Sequence, residues 1–361
     1  MNVVFRVDAA PQLGGGHLSR CLTFASALKN KGARCLFVLR DHSGTLGEYV
    51  TRAGFELILL PRTPGYEVDA DCYSTWIGSP WDIDSEQTYK AINDIIPSGI
   101  DWVIVDHYGL DEKWERYFYT KGIKVGVIDD LVNRPHISDF LLDQTCGRGK
   151  YEYQELVQPD TVLYVGEQYC LLRKEFFEAR NRAIEKRMSF RKTQKLLVSF
   201  GSTDPKGHTL LALEGLSYFA TSRDVEVVIL IGSACPHLDK IEHLAELLNY
   251  KVTIHVDCDR VAELIVDSDL AIGAAGSSTW ERCFLGLPTL LVKTADNQTD
   301  VVNKVISSGA SVGYFQPLED EQALGSALIE LETRYVEVSG LALSLNIGNN
   351  VEVVTSTLLG E

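Results

Sequence analysis

The chain has 361 residues, enough at about 150 per domain for two hydrophobic cores. It is 45% hydrophobic and 23% charged, and 34 basic against 50 acidic side chains leave a net charge of −16, which argues against nucleic acid as a main partner. No apolar run reaches the ~18 residues of a membrane span, and the short apolar start at Val3 to Phe5 lacks a leader's architecture, so no membrane insertion is expected.

Short β-branched runs alternate with helical patterns, the signature of parallel βαβ units. In the first half the expected strands are Val3 to Asp8, Arg34 to Arg40, Glu56 to Leu60, Trp102 to Asp106, Val125 to Asp129 and Phe140 to Asp143. The clearest helix runs from His17 to Lys29, with Leu18, Cys21, Leu22, Ala25 and Leu28 on one face; another spans Glu86 to Ile96. The second half repeats the design with strands at Lys195 to Phe200, Val225 to Ile231, Lys251 to Val256, Leu270 to Ile272, Thr289 to Val292 and Ser311 to Tyr314. Helices are expected near 208–218, 238–248, 261–265, 279–284, 298–307 and 319–333. Between the halves, Arg173 to Lys195 is basic and poor in apolar residues, which fits a solvated linker helix or a set of cations facing an anionic ligand. The expected class is therefore α/β: two doubly wound Rossmann-like domains facing across a cleft. The boundaries are 1–170, a linker at 171–195, a second domain at 196–345, and a C-terminal segment at 346–361 that returns to the first domain.

Eight cysteines are scattered, the closest pair, Cys21 and Cys35, lying 14 apart, so no local zinc or redox pair exists. Free thiols of this kind fit a reducing, cytoplasmic compartment.

The first strand is followed by Gly14, Gly15, Gly16 and His17 at a helix start. Consecutive glycines let backbone N–H groups approach a ligand. A dinucleotide fingerprint would need glycine at position 19, where Ser19 stands, so NAD is not expected. The positive end of the helix dipole favours the neutral imidazole that a general base requires, although a surface capping histidine would look the same. Asp106, His107 and Tyr108 follow the fourth strand, and Asp129 and Asp130 follow the fifth, on the same sheet edge as His17. Capping or a structural hydrogen-bonded pair would also account for them. In the second half, Gly276, Ser277, Ser278 and Thr279 link a strand to a helix and suit a diphosphate, while Glu281 suits a ribose diol or simply the start of a helix. Gly201, Ser202 and Thr203 form a second anion-cradle candidate before Asp204 and Pro205, which also read as a helix cap. His255, Asp257 and Asp259 alternate on one strand face without a second cluster to complete a metal site, so neither metal nor cofactor is expected.

These residues resemble a known family, the UDP-2,4-diacetamido-2,4,6-trideoxy-β-L-altropyranose hydrolases of pseudaminic acid biosynthesis, relatives of MurG-type glycosyltransferases with the GT-B fold. The resemblance runs from Arg6-x-Asp8 and Gly14-x-Gly16-His17-x-x-Arg20, through Trp76-Ile77-Gly78 with Asp84 and Thr88, to Asp106-His107-Tyr108 with Trp114-Glu115. It continues through Ile128-Asp129-Asp130, Leu171-Leu172-Arg173-x-Glu175-Phe176, Ser199-Phe200-Gly201 with Thr203-Asp204-Pro205, Gly276-Ser277-Ser278-Thr279-x-Glu281 and Asn297-Gln298. The resemblance implies a metal-independent hydrolase that cleaves the C1–O bond of its UDP-sugar. It implies His17 as general base for water, Tyr108 and Asn297 as catalytic residues around the sugar and diphosphate, and Glu281 on the ribose. Gly14, Gly15, Gly16, Arg20, Asp106, His107, Gly201, Ser202, Thr203, Gly276, Ser277, Ser278, Thr279 and Gln298 are the further expected substrate contacts. A single displacement predicts inversion. The small-molecule UDP-sugar is the expected partner, and a monomer is expected. Two departures stand out: Ser202 occupies a position where the family often has glycine, and Asn346-Ile347-Gly348-Asn349-Asn350 replaces an acidic-Gly-x-Gly stretch. A MurG-like glycosyltransferase and a non-catalytic nucleotide-sugar binder are the alternatives, separated by whether UDP appears without an acceptor.

Overall fold

The computed structural model describes residues 1–348 and 350–360. Asn349 and Glu361, both within the expected C-terminal segment, lie outside the described residues. The chain divides into two compact units, one built from Met1–Leu171 with the chain from Gly348 onward, the other from Leu172–Ile347.

The first unit runs β1 (Asn2–Val7), α1 (Gly16–Asn30), β2 (Arg34–Arg40), α2 (Gly47–Arg52), β3 (Glu56–Leu60), α3 (Trp81–Ile95), β4 (Trp102–Asp106), α4 (Glu112–Tyr119), β5 (Lys124–Ile128), β6 (Phe140–Asp143) and β7 (Val162–Val165). Its sheet is parallel in every pairing, in the order β3-β2-β1-β4-β5-β6-β7. Helices cover both faces of such a sheet, so its central strands must be apolar throughout, and every residue of β4 is buried. The strand order reverses between β1 and β4, where Val7 pairs with Asp106. At such a switch point the loops after two adjacent strands diverge to opposite faces and leave a crevice between them.

The second unit runs α5 (Lys174–Met188), β8 (Lys195–Ser199), α6 (His208–Gly215), α7 (Ser217–Arg223), β9 (Glu226–Ile231), α8 (Leu238–Leu247), β10 (Val252–Val256), α9 (Val261–Asp267), β11 (Leu270–Ala274), α10 (Ser278–Phe284), β12 (Thr289–Val292), α11 (Thr299–Ser307), β13 (Val312–Tyr314), α12 (Glu321–Thr333) and α13 (Tyr335–Ser344). Its parallel sheet is ordered β10-β9-β8-β11-β12-β13, with the reversal between β8 and β11. Helix α14 (Val351–Leu359) belongs to the first unit. Gly348 and Asn350 donate backbone hydrogen bonds to the carbonyls of Glu167 and Gln168, and the indole of Trp102 donates to the Leu358 carbonyl at 3.2 Å.

Several elements differ from expectation. β7 is a four-residue edge strand, too short to stand out by pattern. The helix expected over 208–218 breaks at Leu216, because α6 runs against the chain at Leu318: a Cβ on Gly215 would collide with that carbonyl. The basic segment expected as a solvated linker forms α5, which buries Phe176, Ala179, Ala183 and Arg187. The Arg187 guanidinium donates to the carbonyls of Ile265, Ser268 and Leu285, so it serves as a packing element of the second unit. No described helix is long and apolar enough to cross a membrane.

Candidate active site

After β1 the chain makes a tight turn in which Leu13 and Gly14 donate to the Ala10 carbonyl, and Gly14 takes φ +79°, a left-handed conformation natural to glycine. Gly15 caps α1 and Gly16 opens it, so His17 stands at the second helical position. Arg20 follows one turn later on the same face. Both reach across the β1/β4 switch point to Asp106, the last residue of β4. The His17 Nδ1 lies 2.5 Å from Asp106 Oδ1. Arg20 holds the same carboxylate in a fork, Nε to Oδ2 at 2.6 Å and Nη2 to Oδ1 at 2.7 Å. Its Nη1 donates to Asp130 Oδ2 at 2.8 Å, and Nη2 also lies 3.2 Å from His17 Nδ1. The Cys21 thiol adds a longer contact to Asp106 at 3.4 Å.

A carboxylate only accepts, so the imidazole Nδ1 carries the hydrogen and Nε2 keeps its lone pair while the ring is neutral. Burial pushes the Asp106 carboxyl up, but the charges of Arg20 and His17 outweigh it and hold it far below the usual carboxylate range. Asp106 therefore stays ionised and fixes both the tautomer and the direction of the ring. The Tyr108 hydroxyl donates to Asp130 Oδ1 at 2.7 Å, and its ring stands edge-on to His17 with centroids 4.4 Å apart. Trp76 and Tyr73 extend this aromatic wall, Trp76 lying 5.5 Å from the Tyr108 ring and 6.2 Å from His17.

Three further expected substrate contacts of this unit have protein partners: Arg20 and Asp106 are buried and engaged with His17, Asp130 and each other. His107 is turned the other way: its Nε2 lies 3.1 Å from Asp8 and its Nδ1 accepts from the Gly109 N–H at 3.0 Å. Its burial lowers its pKa more than Asp8 raises it. Asp8 is part of a buried lattice in which Arg6 bridges Asp8 and Asp84, Arg40 donates to Asp84 at 2.5 Å, and the Trp114 indole donates to Asp84 at 2.9 Å. Asp129 is likewise structural, accepting from Tyr153 at 3.0 Å and pairing with Arg134 at 2.8 Å, whereas Asp130 faces His17's partners.

In the second unit the loops after β8 and β11 flank the other switch point. Gly201 has φ +96° and Gly276 lies in open space, so backbone is accessible at both turns. Ser277 precedes α10 without capping it, and Ser278 is half-buried. Ser202 is fixed by its carbonyl, which accepts from Gly232 N–H at 2.9 Å. Thr203 and Thr279, both expected on substrate, are buried; the Thr279 hydroxyl turns inward to the Ala274 carbonyl at 3.3 Å. The Glu281 carboxylate is 3.5 Å from Arg173, and burial pushes its pKa up against that cation. Asn297 and Gln298 lie in a single turn before α11, and the Gln298 side-chain carbonyl accepts from Thr294 N–H at 2.8 Å. Asp130, Trp76 and Arg173, singled out in the sequence without a role, are site neighbours, as is Arg282, which sequence reasoning did not select. The i, i+3 spacing of His17 and Arg20 was the signal available for the carboxylate they share.

Two Rossmann-like units with these strand orders define a GT-B, MurG-like fold. In keeping with that class, the structure superposes on MurG of Acinetobacter baumannii with a TM-score of 0.65, covering 100% of this chain and 99% of that one at 14% identity. No family model matches the chain. It is similar to the UDP-2,4-diacetamido-2,4,6-trideoxy-β-L-altropyranose hydrolase of Campylobacter jejuni, 25% identical over 315 residues that span 87% of this chain and 99% of that protein. It is also similar to the spore coat polysaccharide biosynthesis protein SpsG of Bacillus subtilis, 28% identical over 96% of this chain and 93% of that one.

Proposed function

We propose that the chain is a UDP-sugar hydrolase that converts UDP-2,4-diacetamido-2,4,6-trideoxy-β-L-altropyranose and water to UDP and the free sugar, a step in pseudaminic acid biosynthesis. The full-length similarity to the Campylobacter jejuni hydrolase supports the substrate. The observation that carries the chemistry is the 2.5 Å contact between His17 Nδ1 and Asp106, which leaves Nε2 as the basic nitrogen.

In this reading water attacks C1 of the sugar and gives its proton to His17 Nε2. The C1–O bond breaks, and its electron pair leaves on the β-phosphate oxygen of UDP. UDP is a stable leaving group, so the step needs a base and donors for the diphosphate more than a strong acid. Asp106 stabilises the imidazolium that forms, and Arg20 keeps Asp106 ionised. One displacement inverts C1. Tyr108 and Asn297 contact the sugar and diphosphate, the turns at Gly201 and Gly276 to Ser278 contact the diphosphate, and Glu281 accepts from the ribose diol. The proposal includes metal independence, a monomeric state and a cytoplasmic location.

The likeness to MurG favours one other reading, transfer of the sugar to an acceptor hydroxyl. Incubation of the purified chain with the UDP-sugar alone separates the two. Release of UDP with one equivalent of free sugar, carrying ¹⁸O at C1 when run in labelled water, supports hydrolysis. No UDP release without an acceptor overturns it.

A further inference from the structure

Buried charge in this protein is almost always matched by opposite charge. Arg6, Arg20 and Arg40 each reach at least one carboxylate. Arg187 has none, but all three of its guanidinium nitrogens donate to carbonyls, two of them in or just beyond the last turn of α9, the negative end of that helix. Arg282 is the exception. It is 2% exposed, and among the described residues no carboxylate lies within ion-pair distance of it. Its Nη2 donates to the Ala274 carbonyl at 2.7 Å and to Thr279 Oγ1 at 3.3 Å, and its Nη1 donates to Ser278 Oγ at 3.0 Å, while Nε has no partner. Glu281, its neighbour in sequence, is paired with Arg173 instead. Burial pushes the guanidinium down to about 10, outweighing the opposing attractions of Cys283 and Glu281, neither of which pairs with it directly.

The chain makes room for this cation. A Cβ at Gly273 would lie 2.7 Å from the Ser199 carbonyl and 2.8 Å from Arg282 Nη1, so glycine lets both the neighbouring strand and the guanidinium approach. Gly276, with open space at its Cβ position, precedes Ser278 by two residues, and the Ser278 hydroxyl touches the guanidinium. Its oxygen accepts from Arg282, and its own hydrogen goes to no protein acceptor among the described residues. An uncompensated buried charge costs several kcal/mol in general, and such a cost is offset when an anion arrives.

We propose that Arg282 is a built-in counter-charge for a diphosphate at the Gly276–Ser278 turn, acting through the Ser278 hydroxyl, which it polarises and aims at the ligand. It is a positioning residue. The inference rests on the reading above that this turn takes the diphosphate of a nucleotide.

The test compares UDP with uridine, which lacks phosphate, by calorimetric titration of the full chain at fixed ionic strength. The variants are Arg282→Met, Arg282→Lys and Ser278→Ala. Arg282→Met is expected to weaken UDP about tenfold or more and to leave uridine within about twofold. Arg282→Lys, which keeps the charge, is expected to retain most of the UDP affinity, and Ser278→Ala to lose about threefold to tenfold for UDP alone. Unchanged UDP binding in Arg282→Met, or equal losses for UDP and uridine, overturns the proposal. Should Arg282→Met fail to fold, Ser278→Ala decides: a loss confined to UDP supports the relay and no loss overturns it. If the wild-type chain binds UDP no better than uridine, the diphosphate reading itself fails. If it prefers UDP and the variants keep that preference, only the role of Arg282 falls.

Discussion

The two switch points are built from the same topology and opposite electrostatics. At β1/β4 the buried carboxylates are matched by donors and cations: Asp106 accepts from His17 and twice from Arg20, Asp130 accepts from Arg20 and Tyr108, and Asp8 and Asp84 are held by Arg6 and Arg40. At β8/β11 the turns carry glycine and serine, and among the described residues the buried Arg282 guanidinium beside them makes no direct ion pair. A saturated network costs its stability up front and holds one side chain in one orientation, which is what a base requires. An unsaturated turn keeps its donors for something that arrives from solution. On the proposed reading, the first switch point holds its groups ready for chemistry and the second is completed by a ligand.

That contrast predicts which measurement each substitution moves. The largest effect is expected for His17→Ala or His17→Phe, which should lower kcat by about 10²-fold or more while UDP affinity stays nearly unchanged. Equal losses in both would break the contrast by making His17 a binding residue. Glu281→Ala should do the reverse, weakening UDP by about 1.5–3 kcal/mol if its carboxylate holds the ribose diol. An unchanged dissociation constant in a titration removes that role. Asp106→Asn keeps the shape but removes the charge that orders His17 and Arg20. A loss of about tenfold or more in kcat with unchanged KM is expected, because the imidazolium loses its carboxylate. A change in KM alone would return Asp106 to the substrate.

Most of the architecture was legible because parallel strands buried on both faces are continuously apolar. Trp102 to Val105 and Val125 to Ile128 have this pattern, and both are strands in the structure. β7 escaped because four residues at a sheet edge, with Val162 exposed, carry too little pattern. The loop bearing His17 was legible from its glycines. The roles of its neighbours were not, because residues one apart at the end of a strand point to opposite faces. Asp106 faces α1 and His17, whereas His107 faces Asp8, and a run of three polar residues does not reveal which is which. Thr279 and Arg282 were hidden for a related reason. On a seven-residue helix their side chains fold back to the Ala274 carbonyl, a direction invisible in spacing.

The smallest effect expected is that of a chelator. A metal at the first switch point would have to take its ligands from Asp106 and Asp130, and these are committed: Arg20 forks Asp106 and also holds Asp130, whose other oxygen is taken by Tyr108. Among the described residues no group of three or more His, Cys, Asp and Glu is arranged to hold an ion. At the second switch point the turn offers hydroxyls and backbone N–H groups with no carboxylate, a set better suited to an anion than to a metal cation. EDTA at millimolar concentration should therefore leave the rate of UDP release within about twofold of the untreated enzyme. A chelator-sensitive rate, restored by one divalent ion, would mean that the diphosphate is neutralised by an ion carried in with it. The division between a finished site and a receptive one would then have to be redrawn, with the cation and not Arg282 supplying the missing charge.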